Sequence, residues 1–246
     1  MLVMLTGFML VNKHASATDS TTTCKAFMQK VQQAYGKSAY LSFNVLYRYA
    51  NNNQPGNYID TMSGEVAMDK NHSRFVIDEV ETVNNGTYSI RVMKEEKLIY
   101  LSAASASSVV MDPVHIMDSV LAHMQGVQMQ MERSKGGTTL KILFPPNQQY
   151  KSISMTVNES TGFFQKVVYE LYTEGLVTQD QIAQPGNTGQ YQAEGRIEVL
   201  FSNYKRGQFN DSMFDEGLYF TRLGKGDYQP SEKYKDYQIF LASTSL

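Results

Sequence analysis

The stretch from Ala39 to Leu101 constrains the fold most, because apolar and polar residues alternate along it in short segments separated by turn residues. A period of two places successive side chains on opposite faces of a strand. The stretch therefore predicts an antiparallel meander with one apolar face. Its five predicted strands are Ala39–Tyr49, Tyr58–Met68, Arg74–Val83, Thr87–Met93 and Leu98–Leu101. Asn85-Gly86, between the third and fourth strands, is typical of a tight hairpin turn.

The rest of the chain is expected to cover or extend this sheet. Thr22–Lys37 has apolar residues at i, i+4 and i+8, which predicts a helix with one apolar face. Asp112-Pro113 is a favourable helix start, so a second helix is expected to run to Met124. Alternating segments continue to Tyr191–Phe201, and the C-terminal part offers further edge strands. The sequence thus predicts a mainly β (α+β) fold, with a curved antiparallel sheet of about ten to eleven strands.

The N-terminal segment resembles a signal peptide. Met1–Val11 is apolar, and Ala15-Ser16-Ala17 matches a small-residue cleavage site. We therefore expect residues 1–17 to be removed and residues 18–246 to form a single domain that is exported and soluble. The alternative is a frayed N-terminal strand or helix.

Composition and motifs argue against several classes of function. The formal net charge of −2 and pI of about 6.1 give no basic footprint for nucleic acid. Cys24 is the single cysteine, which excludes an intrachain disulfide and a cysteine metal cluster. The four histidines do not have metal-ligand spacing, and no nucleophile elbow or phosphate loop occurs. We expect no catalytic residue, no metal and no cofactor.

The inward faces of the predicted strands carry long, adaptable apolar side chains. A sheet of this size must curl, and helices laid over an open curved sheet can leave a tapered apolar space. We predict that the space binds a ligand through Phe43, Tyr47, Met62, Met68, Ile90, Tyr100, Ile142 and Val199. The alternative is that the helices fill the space completely and the sheet encloses a solid core.

The order of elements, from an N-terminal helix through a meander containing Gly64–Phe75, resembles the LolA-like group of periplasmic lipoprotein carriers. The resemblance implies a half-barrel with two or three helices covering its concave face. It also implies a periplasmic location, a cargo of lipoprotein acyl chains or lipid, and partner proteins at the inner and outer membranes. Arg74 is the nearest positional match to the arginine that latches the carriers' lid. Tyr100 stands near the place where the carriers have a tryptophan. The carriers are shorter, so Tyr204–Leu246 is either extra or a rearranged C-terminal end.

Two functions follow as hypotheses. The first is a monomeric carrier or chaperone that shields acyl chains in the apolar space. The second is a cell-envelope scaffold that binds a partner along an exposed edge strand within Tyr219–Leu241. An enzyme has no supporting feature in the sequence.

Overall fold

The computed structural model describes residues 21–104, 126–175, 190–207 and 210–243. The predicted signal segment Met1–Ala17 and the predicted second helix, Asp112–Met124, lie outside these residues. The described part contains one α-helix, α1 (Thr21–Gly36), and short 3-10 turns in the C-terminal part. The strands are β1 (Tyr40–Asn51), β2 (Tyr58–Asp69), β3 (Ser73–Ile77), β4 (Val80–Asn84), β5 (Tyr88–Met93), β6 (Leu98–Ala103), β7 (Gln128–Ser134), β8 (Gly137–Leu143), β9 (Tyr150–Asn158), β10 (Phe164–Tyr172), β11 (Glu194–Arg206), β12 (Phe220–Gly224), β13 (Asp227–Pro230) and β14 (Gln238–Leu241).

Twelve of these strands form one curved, open sheet in the order β14-β6-β5-β4-β3-β2-β1-β11-β10-β9-β8-β7, and β12 pairs only with β13. Every pairing in the sheet is antiparallel except that of β14 with β6. The mainly β class is as predicted. The predicted ten to eleven strands are too few, and the described part has a single α-helix rather than two or three.

One extra strand comes from a turn that the sequence did not reveal. The predicted strand Arg74–Val83 is in fact the hairpin of β3 and β4, in which Ile77 pairs with Val80. Asp78 adopts a positive φ of 46°, a left-handed conformation that aspartate tolerates better than most residues. The meander from β1 to β6 therefore has one strand more than the alternation predicted.

Helix α1 lies on one face of the sheet, which we call the helix face. Cys24, Met28 and Val31 are fully buried against strands β7 to β11. At the end of the helix, Ala34 approaches the β9–β10 turn so closely that a side chain at Gly162 would clash with it. The helix thus covers the half of the sheet that β7 to β11 form.

The C-terminal segment, residues 210–237, lies on the other face, which we call the opposite face. Phe214, Tyr219, Phe220 and Tyr234 are buried there against apolar side chains of β4, β5 and β6. The pairing register shows why these are opposite faces. Following the paired residues from Phe43 on β1 across to β6 gives a row of side chains on the helix face. The side chains buried beneath the C-terminal segment alternate with that row along their strands, so they point to the opposite face.

A β-bulge in β11 redirects the end of that strand. Asn203 has a φ of 55°, and the register with β1 shifts by one residue at this point. Arg206 therefore pairs with Leu41, and the side chains of Tyr204 and Arg206 lie on the helix face. The predicted strand ended at Phe201, so sequence alternation did not reach these two residues.

Candidate ligand-binding site

An apolar row crosses the helix face on the half of the sheet that β3 to β6 form. It consists of Ile77, Val80, Met93 and Leu98, which stand directly opposite one another on successive strands. Three inter-strand intervals give it a length of about 14 Å. Val80 is 38% exposed and the other three side chains are half-buried. The apolar row is thus accessible, in contrast to the side chains beneath α1.

The row continues onto β2 through Gly64, which pairs with Ile77. A Cβ atom on Gly64 would lie 2.4 Å from the Val76 carbonyl oxygen and 2.9 Å from the Ile77 Cγ1 atom. Only glycine lets Ile77 pack over the neighbouring strand here. Two residues back on the same face, Met62 is 42% exposed and pairs with Tyr47. Burial raises the pKa of Tyr47, as expected for a phenol in apolar surroundings.

Polar character increases from the apolar row toward the other end of β4, β5 and β6. The next row across these strands consists of Thr82, Arg91 and Tyr100. Tyr100 stacks on Phe240 of β14 with 5.6 Å between ring centroids. The row after that holds Asn84, Ser89 and Ser102. Along the strand direction this part of the helix face is therefore amphipathic, with Asn84 buried and Ser89 and Ser102 half-buried.

A pocket of about 430 Å³ opens near the C-terminal end of α1. Its lining residues are Asn158, Thr161, Phe163, Phe164, Gln165, Phe201, Tyr204 and Arg206. The Arg206 guanidinium lies 4.7 Å from the centroid of the Phe163 ring, and that ring stacks on Tyr204 at 4.4 Å. Aromatic walls with a polar rim are typical of small ligand sites.

Hydrogen bonds fix the aromatic wall of this pocket. The Tyr204 hydroxyl donates to the Phe164 carbonyl oxygen at 3.0 Å, and the Tyr35 and Tyr204 hydroxyl oxygens are 2.7 Å apart. The Phe164 amide in turn donates to the Tyr35 hydroxyl at 3.4 Å. Desolvation raises the pKa of Tyr35 to about 12, so this phenol stays protonated at neutral pH. The three groups form a closed ring that ties α1 to β10 and β11.

The structure places most of the residues predicted for the cavity on the helix face. Those that share it are Phe43, Tyr47, Met62, Met68, Tyr100, Ile142 and Val199. Phe43, Ile142 and Val199 are buried within the packed core, whereas Met62 is exposed and Tyr47, Met68 and Tyr100 are half-buried. The space under α1 is thus filled at Phe43, Ile142 and Val199. The accessible residues lie on the part of the helix face beyond the helix.

Two predicted residues are on the opposite face and do not join this site. Ile90 is fully buried beneath the C-terminal segment. Arg74 also faces that segment, and its Nε atom donates to the Glu81 Oε1 atom at 2.7 Å. The same oxygen accepts a hydrogen bond from the Tyr219 hydroxyl at 2.6 Å. Because Arg74 is engaged on the opposite face, it cannot latch a lid over the helix face.

The apolar row itself was missed by sequence reasoning. Treating Arg74–Val83 as one strand assigned Ile77 and Val80 to different faces, whereas the turn between them puts both on the helix face. On β5 the sequence alternation favours the face of Ile90, which carries the more hydrophobic residues, whereas Met93 and Leu98 lie on the other face.

Within residues 21–104, 126–175, 190–207 and 210–243, no cluster of three or more His, Cys, Asp or Glu side chains could hold a metal ion. No helix in those same ranges has the length and hydropathy needed to cross a bilayer.

No family model matches the chain, and no curated protein matches it. Among solved structures, it is similar to an uncharacterised conserved protein from Thermus thermophilus, with 9% identity, a TM-score of 0.48, and coverage of 89% of this chain and 99% of that one. A LolA superfamily protein from Nitrosomonas europaea has 13% identity, a TM-score of 0.33, and coverage of 78% and 96%. The lipoprotein LppX from Mycobacterium tuberculosis has 16% identity, a TM-score of 0.39, and coverage of 78% and 99%. The solved structures to which this chain is similar therefore include a LolA superfamily protein.

Proposed function

We propose that this protein binds the acyl chain of a lipid or lipoprotein on the helix face and shields it from water. The observation that carries the proposal is the apolar row, together with exposed Met62 beside it. A continuous apolar strip that remains accessible on a curved sheet is a surface that an unbranched hydrocarbon chain can cover without exact polar geometry.

The apolar row is long enough to give useful binding energy. Each CH₂ group taken out of water contributes about 0.8 kcal/mol, so about ten such groups laid along the row gain about 8 kcal/mol before the costs of association and ordering. That gain is sufficient for reversible binding and small enough to allow release. Methionines at positions 62, 68 and 93 provide flexible contacts that suit chains of different length.

Binding of a fluorescent fatty-acid probe tests the proposal. Val80→Asp puts a charge in the middle of the apolar row at a position exposed enough to tolerate it. It should weaken binding at least about tenfold, because a carboxylate there would have to be desolvated by the chain. The matched control is Leu223→Asp, the same change at a 60% exposed leucine on the β12–β13 hairpin. Equal binding by both variants and the parent protein would contradict the proposal.

A second candidate, partner binding along an edge strand, is supported by the position of β14. This strand forms one border of the twelve-stranded sheet, within the predicted region Tyr219–Leu241. The Gln238 and Ala242 amides donate inward to the Lys97 and Leu101 carbonyl oxygens. Because amides alternate along a strand, the Leu241 amide points outward, where an added strand could pair with it.

The substitution Leu241→Pro separates this candidate from the first. It removes the outward donor while keeping the inward hydrogen bonds, so an edge-binding partner should be lost from pull-downs while probe binding persists. Retention of every captured partner by Leu241→Pro would contradict the edge-strand candidate.

A further inference from the structure

We propose that Arg91 binds the anionic headgroup, a carboxylate or a phosphate, of the amphiphile whose chain lies along the apolar row. The inference rests on the proposed function and adds the charge class of the ligand. Arg91 lies on β5, on the helix face, between the apolar row and the row of small polar side chains.

The register fixes this position. Arg91 stands directly opposite Thr82 on one side and Tyr100 on the other. Met93 of the apolar row is two residues along the same strand on the same face, at a distance of about 7 Å along the chain. A headgroup at Arg91 would therefore leave its hydrocarbon chain at the edge of the apolar row.

The charges around Arg91 leave its guanidinium available. The helix-face neighbours across and along the strands are Thr82, Tyr100, Ser89 and Met93, and none of them is acidic. Within the described residues Arg91 forms no salt bridge, unlike Arg74 and Arg196, which both pair with glutamates. The side chain is exposed.

The chemistry of arginine matches an anionic amphiphile better than a neutral one. Its planar fork can bind a carboxylate or phosphate through two parallel hydrogen bonds. The apolar row on one side excludes water from part of the contact and strengthens the attraction. On the other side Ser89 and Ser102 supply hydroxyl groups for the remaining headgroup oxygens.

Calorimetric titration with three amphiphiles of equal chain length tests the inference: laurate, dodecyl phosphate and the neutral 1-monolaurin. Arg91→Gln should weaken the binding of the two anions about tenfold or more and leave 1-monolaurin within about twofold. Arg222→Gln, which removes an exposed arginine on the β12–β13 hairpin, should change none of the three. A response of only one anion to Arg91→Gln would support the inference and identify the headgroup.

The outcomes separate this inference from the proposed function. If the parent protein binds all three and Arg91→Gln weakens none of them, or all equally, the headgroup role of Arg91 is refuted and acyl binding stands. If the parent protein binds none of the three, both are refuted. Displacement of bound dodecyl phosphate by inorganic phosphate alone would also refute the inference, since the site would then recognise a free anion rather than an amphiphile.

Discussion

The C-terminal segment is held on the opposite face by a buried carboxylate, and the substitution Tyr219→Phe tests that attachment. The Glu81 side chain is 5% exposed, and its Oε1 atom accepts from the Tyr219 hydroxyl at 2.6 Å and from Arg74 Nε at 2.7 Å. The substitution deletes one of these two hydrogen bonds and keeps the aromatic ring, which stacks on Tyr234 at 5.8 Å.

A hydrogen bond to a charged group contributes about 1.5–3 kcal/mol, and Arg74 still neutralises Glu81 in the variant. We therefore expect Tyr219→Phe to lower the free energy of unfolding by about 2 kcal/mol at pH 7. For a chain of this size that loss corresponds to a fall in melting temperature of about 4–8 °C. Urea denaturation monitored by circular dichroism measures it. The control is Tyr237→Phe, in the same segment, whose hydroxyl has no hydrogen bond to the described residues.

The loss should depend on pH. Burial raises the pKa of Glu81, but the hydrogen bonds from Tyr219 and Arg74 and the charge of Arg74 outweigh burial and hold the pKa below its usual 4.5. The ionised carboxylate therefore contributes stability that is fully present above that value and is lost as the pH falls through the lower pKa of the folded state. The difference between parent and Tyr219→Phe should shrink at low pH. The attachment would be refuted by an equal difference in unfolding free energy at pH 7 and at a pH below the folded-state pKa of Glu81. A loss no larger than that of Tyr237→Phe would also refute it.

Three further substitutions test the packing around the site by the free energy of unfolding in urea. Met28→Ala removes a fully buried side chain beneath α1 and should cost about 2–5 kcal/mol; a cost below about 1 kcal/mol would mean that α1 is not packed as described. Gly64→Ala forces a Cβ against the Val76 carbonyl and should cost about 1–3 kcal/mol, whereas Gly56→Ala, with open space around it, should change stability by less than about 0.5 kcal/mol. Tyr204→Phe opens the hydrogen-bond ring with Tyr35 and should cost about 1–2 kcal/mol, more than Tyr58→Phe, which loses an exposed bond to a glutamate; equal costs would contradict the ring.

Local pattern was sufficient to predict most elements of the sheet. Alternation located β1, β2, β5 and β6 to within a few residues, because apolar and polar residues alternate along each of them between turn residues. The i, i+4 spacing located α1 in the same way. The turn at Asp78 was not predictable, because the chain there lacks the Asn-Gly signal that marks the next hairpin.

The assignment of faces could not be made from alternation alone. Alternation says which residues share a face of one strand, but the element that covers each face depends on contacts between distant parts of the chain. Ile90 lies on the more hydrophobic of the two faces of β5. The segment that buries it lies more than a hundred residues later in the sequence. Arg74 could not be placed for the same reason. Its partner Glu81 also accepts a hydrogen bond from Tyr219, and these residues meet only in the folded chain.

Photo-crosslinking with a fatty acid that carries a diazirine along its chain tests acyl binding on the helix face most directly. After irradiation and proteolysis, mass spectrometry locates the labelled residues. If the chain lies along the apolar row, the label appears on Val80, Met93 or Leu98, and it is lost in Val80→Asp. Label concentrated on the opposite-face hairpin around Leu223, or an unchanged pattern in Val80→Asp, would contradict it.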